Sequence, residues 1–177
     1  QKIEAGKMEL YMTSFSIEAM LDALRDINTP LAEKNSNQFL IECEIGLGSM
    51  FQDETKVSQC LTNFLSNAFK FTNEGIVTLA IAPFDEDGVE MIRFNVQGTG
   101  VGMTPEQLVT VFEEYQQGER SITAETAQRG TGLGLSLTKS YAELMGGRVE
   151  AESEKDVGST FAFIIPRAFS HKDAKEA

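Results

Sequence analysis

The chain has 177 residues, with 15 Lys and Arg against 27 Asp and Glu, a formal net charge of −12. So acidic a chain lacks the basic face that a nucleic-acid binder needs to meet phosphates. The 41% hydrophobic content is enough for a real core, and the length suits one domain of roughly 100–200 residues. No stretch approaches the roughly 18 apolar residues of a membrane span, and the opening QKIEAGKMEL lacks the apolar run of a signal peptide. The piece is expected to be soluble and without membrane contact. Cys43 and Cys60 lie in apolar surroundings with no C-x-x-C spacing, which argues for reduced core thiols over a zinc site or disulfide.

Residues 1–8 read as the end of a helix too short to stand alone. Leu10 to Phe15 reads as a short strand. Ser16 is placed to cap a helix carrying Ile17, Met20, Leu21, Leu24 and Ile27, which Pro30 is expected to kink or end. Phe39, Ile41 and Cys43 alternate with Leu40, Glu42 and Glu44, the pattern of a strand with one face on a core. Asp53 opens a second helix to Phe71, with Val57, Leu61, Phe64, Leu65 and Ala68 as its apolar stripe. Asn63, Asn67 and Lys70 share a neighbouring face.

Two strands, Ile76 to Ala82 and Met91 to Val96, are joined through Asp85-Glu86-Asp87-Gly88, a hairpin-turn composition, so they should pair antiparallel. Gly98-Thr99-Gly100-Val101-Gly102 follows, and Thr104-Pro105-Glu106 starts a short helix through Phe112. Residues 113–129 are polar and read as a mobile loop. Gly130-Thr131-Gly132-Leu133-Gly134 then leads into a helix from Leu135 to Met145, ended by Gly146-Gly147. Closing strands follow at Arg148 to Glu152 and Thr160 to Ile165, and Ser170 to Ala177 reads as a frayed tail.

A G-x-G-x-G run suits phosphate because glycine lets backbone N–H groups approach closely and the following helix points its positive end at the anion. One such run is weak. Two of them at helix entries, separated by a polar loop and preceded by an Asn/Asn/Lys helix face, form a specific ordered set. A dinucleotide-binding fold fits badly, because neither run is G-x-G-x-x-G and the strands come as hairpins rather than βαβ units.

In that order, LTNFLSNAFKFTNEG, GTGVGM, FEEYQ and GTGLGLSL resemble the N box, first glycine box, F box and second glycine box of sensor histidine kinases. The chain is similar to their catalytic ATP-binding module, of the superfamily shared with DNA gyrase, MutL and the ninety-kilodalton heat-shock chaperone. The resemblance covers residues 10–166. It implies an α/β fold, a two-layer α+β sandwich of the Bergerat type, with a mixed, mostly antiparallel sheet packed against three helices. It also implies that 1–8 is the remnant of a preceding dimerisation helix, that 9–167 is the catalytic module with an ATP lid at about 113–130, and that 168–177 is a disordered tail.

By the same resemblance, ATP and Mg²⁺ are the cofactors. Asn67 would hold Mg²⁺ through its amide oxygen, Asn63 would assist from one turn earlier, Lys70 would reach the phosphates and Phe71 would line the adenine pocket. A hard cation bridging phosphate oxygens needs oxygen ligands, and a positive head on the same face offsets phosphate charge. Gly98, Gly100 and Gly102 would form the first glycine box. Arg120 and Arg129 of the lid would meet the γ-phosphate. Gly130, Gly132 and Gly134 would let the lid hinge while Thr131 and Leu133 present backbone N–H groups, and Thr160 would sit at the base of the adenine pocket.

The resemblance further implies phosphoryl transfer to a His on a separate helical hairpin of the same protein, for relay to a response regulator receiver domain. His171, in the polar tail SHKDAKEA, has no helical context resembling an acceptor. The expected location is cytoplasmic, in a parent protein that can itself be membrane-anchored. The gyrase and chaperone branches carry a water-activating Glu where this chain has Asn63, and an amide cannot take a proton. The main departure is Gly98, where the family's D-x-G-x-G places the aspartate that accepts from the N6 amino group of adenine. Its loss removes a charge-assisted bond of roughly 1.5–3 kcal/mol, or about 10- to 100-fold in affinity. The alternative is a degenerate module of the same fold that acts through interaction without turnover.

Overall fold

The structure, a computed structural model, describes residues 2–5, 8–44, 46–102, 104–110 and 132–169. The elements are β1 (Lys2–Ala5), β2 (Met8–Tyr11), β3 (Thr13–Ser16), α1 (Ile17–Lys34), β4 (Gln38–Cys43), β5 (Ser49–Gln52), α2 (Glu54–Phe71), β6 (Ile76–Glu86), β7 (Val89–Gly98), α3 (Pro105–Thr110), α4 (Gly132–Leu144), β8 (Arg148–Glu154) and β9 (Gly158–Pro166). Five strands form the main sheet in the order β4-β6-β7-β9-β8, with β4 parallel to β6 and every other pair antiparallel. This is the expected mixed, mostly antiparallel sheet, and α1, α2 and α4 cover one of its faces.

Apolar alternation explains that packing. Val77, Leu79 and Ile81 of β6, Ile92, Phe94 and Val96 of β7 and Phe161, Phe163 and Ile165 of β9 all turn to the helical side. Phe64 of α2 stacks on Phe161 at 5.4 Å, and Phe69 meets Phe39 edge-on at 5.3 Å. On the opposite face a small cluster of Met91, Ala162 and Ile164 lies beside ion pairs of Arg148 with Glu86 and Glu150 at 2.7 and 2.9 Å.

Local signals place the helices. Ser16 accepts from Ala19 N at the start of α1 and Asp53 accepts from Lys56 N at the start of α2. The β6–β7 hairpin turns through Asp87 and Gly88, both at positive φ, as a two-residue turn of the primed class. Both strands run longer than expected, to a register ending at Glu86 opposite Val89.

Several expectations are corrected. The stub is no helix end: Lys2–Ala5 pairs antiparallel with Met8–Tyr11. Leu10 to Phe15 is not one strand, because the chain leaves the first hairpin at Met12 and β3 pairs with β5, an element the sequence reading missed. Pro30 does not end α1, which runs four residues further to Lys34. Pro30 and Asp26 lie on the exposed side of the helix, so water can take the Asp26 carbonyl that the missing proline N–H leaves open, while in the preceding turn Asn28 Nδ2 donates to the Leu24 carbonyl at 2.9 Å and Thr29 Oγ1 to the Arg25 carbonyl at 2.6 Å. Residues 168 and 169, which the resemblance assigns to the tail, belong to the fold, since Ala168 bridges Phe51 and Phe169 is buried. Helix α4 begins at Gly132, three residues early, which puts Gly132, Leu133 and Gly134 in its first turn. Both cysteines are free; Cys60 is buried, while Cys43 packs on the core with part of its surface exposed.

Candidate functional site

Helix α2 carries Asn63, Asn67 and Lys70 down one face, at i, i+4 and i+7. Asn67 is 8% exposed and its side chain makes no hydrogen bond among the described residues. Asn63 is half-buried and donates through Nδ2 to Thr138 Oγ1 of α4 at 3.4 Å. Lys70 is exposed in the last turn, and Phe71, the last residue of the helix, is 40% exposed. Cys60, one turn before Asn63, shares Thr138; burial pushes its thiol up to about 12, with the Thr138 hydrogen bond opposing.

The end of α2 is fixed by two asparagines that the sequence reading did not single out. Asn37, buried in the α1–β4 connection, donates to the carbonyls of Phe69 at 3.1 Å and Thr72 at 2.8 Å and accepts from Gly75 N at 3.0 Å. Asn35 donates to the Phe69 carbonyl as well, at 3.1 Å. Together they satisfy carbonyls that a helix C-terminus leaves open.

The first glycine run lies against that end. Gly98 is the last residue of β7 and faces α2, where a Cβ on it would lie 2.8 Å from Thr72 Oγ1 and 3.6 Å from Ala68 Cβ. Gln97 is exposed on the other face, as strand alternation requires. Val101 N donates to the Phe71 carbonyl at 3.3 Å, and a Cβ on Gly100 would overlap that carbonyl. Gly102, at φ +68, lies equally close to the Glu154 carbonyl, so the loop is held between α2 and the β8–β9 turn.

Thr160 is a correction. It lies opposite Gln97 in the β7–β9 register and shares the outer face, whereas Ser159, opposite Gly98, shares the face that looks at α2. Two-residue alternation made this readable, because Phe161 has to point into the core. Gly132, Leu133 and Gly134 open α4, whose Thr138 reaches Asn63. Arg120, Arg129, Gly130, Thr131, the expected lid and His171 lie outside the described residues. The structure therefore brings together Asn63, Asn67, Lys70, Phe71, Gly98, Gly100 and Gly102 along α2 and its glycine loop, and adds Thr72 and Ser159. No described helix is long and apolar enough to cross a membrane.

Residues 52–168 match the family model described as "Histidine kinase-, DNA gyrase B-, and HSP90-like ATPase". The chain is 38% identical over 168 residues to the Hybrid signal transduction histidine kinase B of Dictyostelium discoideum, covering 93% of this chain and 8% of the relative. It is 32% identical over 178 residues to the Sensor histidine kinase GacS of Pseudomonas protegens, covering 99% of this chain and 19% of the relative. Across these relatives the chain spans only 8–19% of their length. Full-length ShkA in complex with AMPPNP superposes with a TM-score of 0.76 at 30% identity, over 94% of this chain and 33% of that one. The nucleotide-free catalytic domain of the histidine kinase ThkA gives 0.72 at 21% identity, over 89% and 97%, a likeness of fold. The chain belongs to the histidine kinase-, DNA gyrase B- and HSP90-like ATPase family, as an ATP-binding catalytic domain of the sensor histidine kinase type.

Proposed function

We propose that this domain binds Mg-ATP along α2 and its glycine loop and presents the γ-phosphoryl group to a histidine on a helical hairpin of the same protein. The observation that carries this is Asn67. A nearly buried amide with no hydrogen-bond partner among the described residues is a poor structural choice, and its neutral oxygen suits a hard cation. The donor chemistry thus fits Mg²⁺, which when bound would draw charge from the phosphate oxygens. Asn63 orients beside Asn67 through its bond to Thr138 and offers no carboxylate to activate water. A neutral imidazole needs no strong base to attack phosphorus, so an amide there favours a histidine acceptor over hydrolysis.

Lys70 stands on the same face to meet phosphate, and Phe71 stands beside the loop where the base would lie. In this reading Arg120 and Arg129 close on the γ-phosphate, the Gly130 to Gly134 run hinges the lid, and the helix that begins at Gly132 turns its N-terminus to the anion. The phosphoryl group then passes to a receiver domain of a response regulator. A cytoplasmic position for the domain, in a parent anchored in the membrane, agrees with this role. The second reading, a regulatory module without turnover, draws on Gly98, where no carboxylate faces α2.

Incubation with γ-labelled ATP and Mg²⁺ tests the proposal. Label should appear as acid-labile phosphohistidine only when the parent's helical hairpin is supplied. Stable label on His171 of the chain alone would overturn it, and hairpin binding without any label would favour the second reading.

A further inference from the structure

Thr72 follows α2 with 2% of its surface exposed, and its hydroxyl makes no hydrogen bond among the described residues. Buried hydroxyls are seldom left so. The oxygen is not sealed off, unlike the unpartnered side-chain oxygens of Asn28 and Gln52, which are shut inside the protein. Three glycines surround the side chain: a Cβ on Gly98 or on Gly100 would lie 2.8 Å from Oγ1, and a Cβ on Gly75 would lie 2.7 Å from Cγ2. The methyl therefore faces Gly75 and the hydroxyl faces the gap between Gly98 and Gly100. A β-branched side chain is stiff about χ1, and Asn37 holds the Thr72 carbonyl at 2.8 Å, so the direction of the hydroxyl is set by the fold.

We infer that the Thr72 hydroxyl is the group that reads the purine base in this chain, standing where a carboxylate at residue 98 would begin, and that the site consequently admits guanine as well as adenine nucleotides. The inference rests on the nucleotide-site reading above. A hydroxyl both accepts and donates, so it can take a proton from the N6 amino group of adenine or give one to O6 of guanine. A carboxylate only accepts, and would repel O6. With glycine at residue 98 that repulsion is absent, and the hydroxyl can serve either base.

Calorimetry on the whole chain with Mg²⁺ tests this with three probes, ATP, GTP and inorganic triphosphate, on the unmodified protein, Thr72→Val and Thr72→Ser. The unmodified chain should bind ATP and GTP within about threefold of each other. Thr72→Val keeps the shape and removes the hydroxyl; it should weaken both nucleotides about three- to tenfold and leave triphosphate unchanged, while Thr72→Ser retains the affinity. Equal nucleotide affinity in Thr72→Val and the unmodified chain would overturn the assignment while leaving the site reading intact. A preference for ATP over GTP beyond about tenfold in the unmodified chain would overturn it too, whether or not the variants fold. Failure of the unmodified chain to bind any of the three probes would bring down the site reading itself, and this assignment with it.

Discussion

Asn63 of α2 donates to Thr138 of α4 at 3.4 Å, so the helix bearing the expected metal ligand is tied to the helix that the second glycine run enters. Thr138 is fully buried and hydrogen-bonds Cys60 as well, which makes it a joint between the two helices. Thr138→Val keeps the volume and removes the joint. It should lower stability by about 1 kcal/mol in urea unfolding and also weaken Mg-ATP binding, because Asn63 loses the bond that orients it. A loss of stability with unchanged binding would confine Thr138 to a packing role.

Cys60 gives the fold an alkaline limit. Its thiol is raised from an ordinary 9.0 to about 12 by burial. A raised folded pKa means that stability is complete below the unfolded value and is lost as pH rises from about 9 toward about 12, by at most about 4 kcal/mol. Unfolding free energy should therefore drop more steeply between about pH 9 and about pH 12 in the native chain than in Cys60→Ala, which has no thiol to titrate at that position. Parallel curves would contradict this.

Gly100 is required by a close approach. A Cβ there would overlap the Phe71 carbonyl, which already accepts from Val101 N. Backbone cannot step aside as a side-chain tip can, so Gly100→Ala should cost about 1–3 kcal/mol and separate the loop from α2. Thermal melting checks it, with a drop of several degrees expected.

Where the sequence was legible, a local signal agreed with the global fold. Asp53 and the stripe from Val57 to Leu65 marked α2, and Asp87-Gly88 marked the β6–β7 turn. Strand β5 escaped because one of its inward residues is Gln52, whose amide donates to the carbonyls of Met145 and Pro166, so the buried face does not read as apolar. Pro30 misled because it lies on the exposed side of α1, where water can take the Asp26 carbonyl that its missing N–H leaves open. Of the candidate site, the α2 face and the glycine loop were readable from spacing. Thr72 was not, since its setting depends on three glycines up to 28 residues away in the chain that only the folded sheet brings to it.

Residue 98 can be tested by restoration. Gly98→Asp should tighten ATP by about 1.5–3 kcal/mol and leave GTP behind, as a charge-assisted acceptor selects the N6 amino group. The new Cβ would stand 2.8 Å from Thr72 Oγ1, so the threonine has to give way and the variant should lose some stability. Combining it with Thr72→Ser, which rotates more freely, should recover that loss. Equal ATP affinity before and after the change, measured by calorimetry, would show that the base does not approach residue 98.

The most direct measurement is calorimetric titration of Mg-ATP into the unmodified chain and into Asn67→Ala, each with its melting temperature. Metal-dependent binding should be present in the first and abolished in the second, with the melting temperature held, since Asn67 makes no side-chain hydrogen bond among the described residues and alanine favours the helix. Undiminished Mg-ATP binding in Asn67→Ala, or a large fall in its melting temperature, would contradict the account.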